Sequence, residues 1–414
     1  WINSQPEVTG DGAAESAPVV TRAYAHNRVL KYGCNPHQKP ASIYTTVGGG
    51  MPFTVRNGAP GYINLLDAVN AWQLVKELRQ SLGIAAAASF KHVSPAGCGL
   101  AVPLSADEAE AYEVTDPSAL TPVALAYLRA RNADPMCSFG DFAAVSDVVD
   151  VATARILKKE VSDGIIAPGF EPEALEILAS KKGGKYICLE ADPTFICPPQ
   201  EFRELHGLTF SQKRNDRLIV PADMGNVVTG ETLSEDAVRD MVLGCITLKY
   251  TQSNSVGYSA GGQMLGVGAG QQSRVDCTKL AGRKVEIWWM RQHPKVRGLK
   301  FKDGRKRTDR VNARVRYIEG DITDAERPGW EANFDEVPAP LTEAEKAEWM
   351  ATLSGVALSS DAFFPFRDSL DHASRLGVSY VAQPGGSVAD AGVTAAAQEY
   401  GMAMVHHGVR LFHH

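Results

Sequence analysis

The sequence contains no C-x-x-C pair, no run of about 18 apolar residues, and no H-x-E joined to a later P-C-x-x-C. Each absence excludes a class. The seven cysteines (Cys34, Cys98, Cys137, Cys188, Cys197, Cys245 and Cys277) are odd in number and scattered, which argues against a disulfide framework or a structural zinc site and fits a reducing, cytoplasmic compartment. Without a long apolar run there is no candidate membrane helix, and Trp1-Ile2-Asn3-Ser4 lacks the basic and apolar regions of a signal peptide. An initiator Met is also lacking, so the chain reads as a fragment or a processed product. Zinc nucleobase deamination fails as well, because His92-x-Ser94 carries a hydroxyl where that chemistry needs a carboxylate.

What is present is ordinary in bulk and uneven in detail. At 414 residues, 44% hydrophobic and 22% charged, the chain is long enough for two folding units with a sizeable core. Net charge is -6, yet residues 291–316 hold 11 Lys or Arg against two Asp, which leaves -15 for the remainder. That segment reads either as a solvated, mobile insertion or as a surface that draws in an anionic ligand or nucleic acid. Only Phe301 and the adjacent Tyr317 interleave aromatics, so binding of single-stranded nucleic acid is disfavoured and no nucleic-acid partner is expected.

Residues 1–25 are rich in Gly, Ala, Ser, Glu and Pro and read as a flexible lead-in, with order expected from about Val29. Leu65, Val69, Trp72, Val75 and Leu78 recur at helical spacing behind a capping Asn64, and Gly83 lies just past the end. Residues 84–90 then form a short buried strand that delivers Lys91. Thr121-Pro122 opens a further helix. Helix at 148–157, strand at 164–167 stopped by Pro168-Gly169, and helix at 172–179 continue the alternation. This is an α/β layered pattern, with ligands expected at the carboxyl ends of strands. A weak internal repeat sets Ser138-Phe139-Gly140-Asp141-Phe142 beside Ser359-Ser360-Asp361-Ala362-Phe363, each followed by helix, strand and a Pro-Gly stop.

Four segments besides that alternation can carry chemistry. Ser89-Phe90-Lys91-His92-Val93-Ser94-Pro95-Ala96-Gly97 puts a cation beside an imidazole at a strand end, where one can accept a proton and the other stabilise negative charge. Asn254-Ser255-Val256-Gly257-Tyr258 leads through Gly266-Val267-Gly268-Ala269-Gly270 to Arg274; these glycines serve either an anion-binding loop or tight hairpins. Lys31-Tyr32-Gly33-Cys34-Asn35-Pro36-His37-Gln38 gathers polar groups around two turn formers. Asp361-Ala362-Phe363-Phe364-Pro365-Phe366-Arg367-Asp368 packs aromatics around a proline, a wall suited to a flat heterocycle. The last five residues, Arg410 to His414, read as a docked terminus.

These segments, in this order, resemble the transformylase region of the bifunctional purine proteins that also carry IMP cyclohydrolase, from about Val29 to His414. The resemblance implies a duplicated, three-layer α/β/α cytidine-deaminase-like unit without zinc. Residues 26–197, completed by about 291–336, would form the first subdomain, and 198–290 with 337–414 the second. It implies a homodimer with shared active sites, no membrane partner, and formyl transfer from 10-formyltetrahydrofolate to the 5-amino group of AICAR. No catalytic metal is implied, and a supporting monovalent cation is compatible. A non-catalytic nucleotide- or folate-binding module of the same fold is the rival reading.

Carried over residue by residue, the resemblance makes His92 the proton acceptor, Lys91 a positioning and charge-stabilising group, and Asn254 the residue that orients the carboxamide or the formyl oxygen. The nucleotide side falls on Lys31, Tyr32, Gly140, Asp163, Arg274, Phe363 and Arg410. The folate side falls on Met136, Val275, Asn312, Pro365, Phe366 and Asp368, with the basic 291–316 segment placed to attract a glutamate tail. Lys31 stands where the family usually has Arg, and Lys cannot grip a phosphate in a bidentate fork. Upstream of Val29 nothing resembles the end of a cyclohydrolase domain, so transformylase activity alone is expected.

Overall fold

The computed structural model describes residues 19–230 and 233–414. In chain order the strands are β1 (Tyr24–Leu30), β2 (Ala41–Thr46), β3 (Phe53–Asn57), β4 (Ala86–Lys91), β5 (Ser94–Leu100), β6 (Asp141–Val145), β7 (Ser162–Ala167), β8 (Ile187–Ala191), β9 (Gln200–Leu205), β10 (Leu208–Lys213), β11 (Val227–Thr229), β12 (Val256–Ala260), β13 (Gln263–Gly268), β14 (Val356–Ser360), β15 (Val378–Gln383) and β16 (Ala403–His406). Twelve of them make one mixed sheet, in the order β11-β16-β15-β14-β12-β13-β5-β4-β6-β7-β8-β3. The hairpins β1–β2 and β9–β10 stand apart as two-stranded sheets. Residues 1–18 of the expected lead-in lie outside the described residues, and order begins earlier than Val29, since β1 starts at Tyr24.

Read outward from the centre, the sheet repeats itself. An antiparallel hairpin (β5·β4 or β13·β12), three parallel strands (β6·β7·β8 or β14·β15·β16) and an antiparallel edge strand (β3 or β11) follow in the same order in each half. The halves meet through antiparallel β5 and β13, with Gln263 opposite Gly99 and the Leu100 amide donating to the Gly262 carbonyl at 2.8 Å. The repeat expected from sequence is displaced by a strand's length: Ser138–Phe142 enters β6, whereas Ser359–Phe363 leaves β14. The Pro168-Gly169 and Pro384-Gly385 stops do follow matching strands, β7 and β15.

Because each pairing across the centre is antiparallel, the halves run in opposite directions. One edge of the sheet therefore collects the carboxyl ends of β4, β13, β14, β15 and β16 with the amino ends of β5, β6, β7, β8 and β12. Lys91, Asn254 and Asp361 all lie on that edge.

Helices cover both faces. The Tyr62–Leu82 and Glu235–Lys249 helices share one continuous core with Ala86, Ala88 and Phe90 of β4, while Ala87 faces the opposite layer under the helices Pro122–Ala133, Val151–Lys159 and Pro172–Ala179. This period of two is what a strand buried on both faces requires. In the second half Arg274–Met290, Asp368–Ala373 and Asp390–Glu399 fill the matching layer. The Tyr62–Leu82 helix has its cap three residues earlier than expected: Gly61 is the N-cap, and Asn64 instead accepts the Gly61 amide at 3.0 Å. Gly83 ends it in the left-handed conformation, with φ 70°. Asp150 caps Val151–Lys159 by accepting from the Thr153 amide, so that helix begins after residue 148. The glycines of β13 answer the question left open by sequence: a Cβ on Gly266 or Gly268 would meet the backbone of Ala281 or Cys277, so they admit the Arg274–Met290 helix and are not a loop around an anion. Gly97 and Gly99 of β5 do the same for the Pro122–Ala133 helix.

The basic segment is folded rather than mobile. It carries the Arg307–Glu319 helix and, with Met290, Phe334 and Leu341, a small core of its own. Its cations meet carboxylates at home: Arg307, Arg310 and Arg314 converge on Glu113 at 2.6–2.8 Å, Arg297 pairs with Asp107 and Glu110, and Arg316 with Asp321 and Glu326. The field left for an external anion is smaller than the residue count suggests.

Buried polar groups bind the two halves at the seam. Gln263 Oε1 accepts from Tyr112 at 2.9 Å and from Arg129 at 3.0 Å, Trp288 donates to the Tyr112 hydroxyl, and Arg291 donates to Asn132. All seven cysteines are free thiols, and no helix among the described residues is long and apolar enough to cross a membrane.

Candidate active site

Strand β4 is buried up to Phe90, then turns back into β5 through His92 and Val93, with Lys91 opposite Ser94. Both turn residues have positive φ, 57° and 60°. Two-residue hairpins of this shape normally use Asn-Gly or Gly-Gly, and an L-residue held left-handed costs about 1–2 kcal/mol. A β-branched Val there is a genuine outlier. The turn is held from below by Asp67 of the Tyr62–Leu82 helix, whose Oδ1 accepts the Val93 amide at 2.6 Å. Burial pushes the Asp67 carboxyl up, against the opposing pull of the Val93 amide and the His92 charge. Lys91 donates to the carbonyl of Phe139, next to Gly140. His92 is exposed, and with Lys91, Ser94, Pro95, Cys137, Val267 and Lys284 it borders a cavity of about 460 Å³.

Asn254 precedes β12 and is clamped on both ends of its carboxamide. Oδ1 accepts from Arg274 Nη2 at 2.7 Å, and Nδ2 donates to the Gln272 carbonyl at 3.1 Å. Arg274 opens its helix and turns its other nitrogen inward, with Nη1 2.5 Å from Asp361 Oδ1 and 2.8 Å from Ser360 Oγ. Asp361 is fully buried; its Oδ2 accepts from the Ser253 hydroxyl at 2.7 Å and the Ser255 amide at 3.0 Å. The carboxyl terminus docks here, as expected: Leu411 donates to the Asp361 carbonyl, the Ser253 amide donates to the His413 carbonyl at 3.1 Å, and the His413 amide donates to Ser253 Oγ at 3.0 Å. Gln252 joins this cluster to the His92 turn, donating its amide to Ser94 Oγ at 3.4 Å and accepting that of Gly270 at 2.8 Å.

The same edge of the sheet holds most of the other candidates. Gly140 (φ 76°) precedes β6, and Asp163 is the second residue of β7, paired with Lys182. Phe363, 40% exposed, and Pro365, Phe366 and Asp368 follow β14; Arg410 is exposed, its guanidinium 4.8 Å from the Phe412 ring. Met136 lies in the turn before β6, and Val275 follows Arg274 on its helix. Lys31 and Tyr32 sit after β1 on the separate hairpin, and Asn312 is an exposed residue of the Arg307–Glu319 helix; of all the candidates, Lys91 and His92 alone border the cavity.

Sequence reasoning passed over Asp67, Gln252 and Asp361 as site residues. Asp67 did carry a signal. It stands four residues before Ala71 and seven before Leu74, on a helix face that is otherwise apolar and buried. Gln252 and the Asp361 partners depend on tertiary contacts between distant segments.

Comparison with known proteins places this geometry. The model of the AICARFT/IMPCHase bienzyme family matches residues 3–284. Among curated relatives, the bifunctional purine biosynthesis protein PurH of Roseobacter denitrificans is 32% identical over 392 residues, 94% of this chain and 60% of the relative. Those of Magnetococcus marinus (31% identical; 93% of this chain, 59% of the relative) and Polynucleobacter asymbioticus (30%; 98% and 62%) are similarly related. The chain spans about 60% of the length of the curated relatives it matches.

Proposed function

The chain belongs to the AICARFT/IMPCHase bienzyme family, and on that footing we propose that it transfers a formyl group from 10-formyltetrahydrofolate to the 5-amino group of AICAR. The cosubstrate supplies the electrophilic formyl carbon; the protein supplies alignment, a base and charge stabilisation. The acceptor amine is weakly nucleophilic because its lone pair is delocalised into the imidazole. As this nitrogen bonds the formyl carbon, His92 takes the proton it loses, a contribution of about 10²- to 10⁴-fold, and the formyl C–N10 bond breaks to release tetrahydrofolate with a proton on N10. Lys91 has three donors, one spent on Phe139, and offers the rest to developing negative charge. Asn254 has its oxygen occupied by Arg274 and one N–H given to Gln272, so its free N–H is a donor for an oxygen of either substrate. Arg274, committed to Asp361 and Asn254, shapes the site more than it grips a phosphate, which leaves that task to Arg410 and Lys31.

The observation that carries this reading is the link through Gln252, which ties the His92 turn to the Asn254–Arg274–Asp361 cluster at one edge. The adjoining cavity of about 460 Å³ falls within the 300–1,000 Å³ range of small-molecule sites. A homodimer with shared sites is part of the proposal. Asp163 on β7 and Phe363 after β14 are six strand steps apart, about 29 Å, further than one nucleotide reaches. The exposed hairpins β1–β2 and β9–β10 carry Val29, Tyr44, Leu208 and Phe210 in the open and touch through Arg22 over the Phe202 ring, as surfaces awaiting a second copy would. The repeated strand order supports a duplicated cytidine-deaminase-like unit, and the Glu113 ion pairs support joining 291–336 to 26–197, with 198–290 and 337–414 as the second subdomain. Free thiols throughout are in keeping with a cytoplasmic setting.

The test is consumption of 10-formyltetrahydrofolate with AICAR present and omitted. AICAR-dependent loss is expected, and His92→Ala should lower kcat by about 100-fold or more while AICAR still binds. Binding without turnover in the unaltered chain would instead favour a non-catalytic module. Turnover within about twofold in His92→Ala would remove the base assignment.

A further inference from the structure

The two halves contain the same hairpin twice, and the difference between the copies is informative. In the second half β12 turns into β13 through Gly261 and Gly262, with φ 57° and 75°, the residues this geometry prefers. In the first half the matching turn carries His92 and Val93 at nearly the same angles. Each turn is gripped from the same place. Asp67 is the sixth residue of the Tyr62–Leu82 helix and accepts the Val93 amide at 2.6 Å; Asp240 is the sixth residue of the Glu235–Lys249 helix and accepts the Gly262 amide at 2.8 Å. Both carboxylates are buried, 6% and 4% exposed.

Their charge partners differ. Asp240 is matched by its neighbour Arg239, whose Nε and Nη2 stand 3.0 and 3.2 Å from its two oxygens. Asp67 is preceded by Leu66, and the charges acting on it are those of His92 and Asp141. The first half has thus kept the carboxylate that fixes the turn while lacking the guanidinium that would neutralise it. It has also set an imidazole where the other copy has glycine. An unneutralised carboxylate beneath an imidazole favours the imidazolium.

We propose that Asp67 is the positioning residue for His92: it holds the strained turn through the Val93 amide and sets a carboxylate beneath the imidazole, where it offsets the charge His92 gains on taking a proton. This deepens the formyl-transfer reading and rests on it for the identity of the reaction. The other ionisable groups about the turn are Lys91 on β4, Lys284 on the Arg274–Met290 helix with its partner Asp134, Cys137 before β6, and Asp141 on β6. Lys91 and Lys284 bring positive charge to the same turn, and Asp67 is the carboxylate that holds its backbone directly.

The experiment reads His92 without substrate. Carbethoxylation of the neutral imidazole by diethyl pyrocarbonate, followed at His92 by mass spectrometry across pH 5–9, yields a midpoint for the native chain and for Asp67→Asn, Leu66→Arg and Asp240→Asn. Asp67→Asn keeps an oxygen for the Val93 amide and removes the charge; its midpoint should fall by about half a pH unit or more. Leu66→Arg copies Arg239 beside the intact Asp67 and should lower the midpoint too, which decides the matter if Asp67→Asn does not fold. Asp240→Asn should leave it in place. In turnover, Asp67→Asn should lose at least about tenfold in kcat with KM within about threefold, and its pH profile should move with the His92 midpoint. An unshifted midpoint in both Asp67→Asn and Leu66→Arg would overturn the proposal. A shifted midpoint in a chain that transfers no formyl group would leave Asp67 in place and refute the reaction.

Discussion

Arg274 and Asp361 form an ion pair that is closed to solvent: Nη1 lies 2.5 Å from Oδ1, with Arg274 8% exposed and Asp361 fully buried. The pair joins the first residue of a long helix to the loop leaving β14, and through Nη2 it fixes the carboxamide of Asn254. Electrostatics here serve geometry first. Such a pair adds little net stability, yet losing one member strands the other.

Asp361→Asn is therefore expected to cost about 3–5 kcal/mol of stability, measured as a fall in the urea midpoint. A loss under about 1 kcal/mol would mean that water reaches Arg274.

Val93→Gly tests the strain in the turn. An ordinary strand Val→Gly loses about 0.5–1 kcal/mol or more. At φ 60° glycine relieves about 1–2 kcal/mol, so the melting temperature should stay level or rise. Turnover should fall as His92 loses its fixed orientation. A clear drop in melting temperature would show that Val93 stabilises by packing.

Glu113 reports on acid stability. Burial pushes its carboxyl up, but hydrogen bonds and charge from Arg310, Arg314 and Arg307 outweigh that and hold it at about 2, below its ordinary 4.5. A carboxyl lowered on folding contributes stability that is complete above pH 4.5 and fades as pH falls toward 2. Glu113→Gln should lower stability at neutral pH and flatten the decline between pH 4.5 and 2, as followed by urea titration at each pH.

Much of the first half was legible in the sequence. The alternation from Asn64 to Ala179, with its Pro-Gly stop, gave the order of helix and strand, because period and turn chemistry are local properties. Boundaries moved where a neighbour supplied the cap, as at Gly61 and Asp150. The glycines of β13 were ambiguous because helix–strand approach and anion binding use the same residue for the same reason, the lack of a Cβ. The charge of 291–316 misled because its partners Asp107, Glu110 and Glu113 lie some 190 residues away. Lys91 and His92 were readable from their place at a strand end. Asp67, which accepts the Val93 amide of their turn, showed as a carboxylate on an apolar helix face, but nothing local tied it to a turn 26 residues away.

The seam between β5 and β13 has a thermodynamic consequence. Gln263 Oε1, Arg129, Tyr112 and Trp288 are hydrogen-bonded to one another across it in the buried interior. Separating the halves would leave each with buried polar groups unanswered, at about 1–3 kcal/mol apiece. The two halves are therefore expected to melt as a single cooperative unit, and a chain built on internal symmetry has no spare half to fall back on.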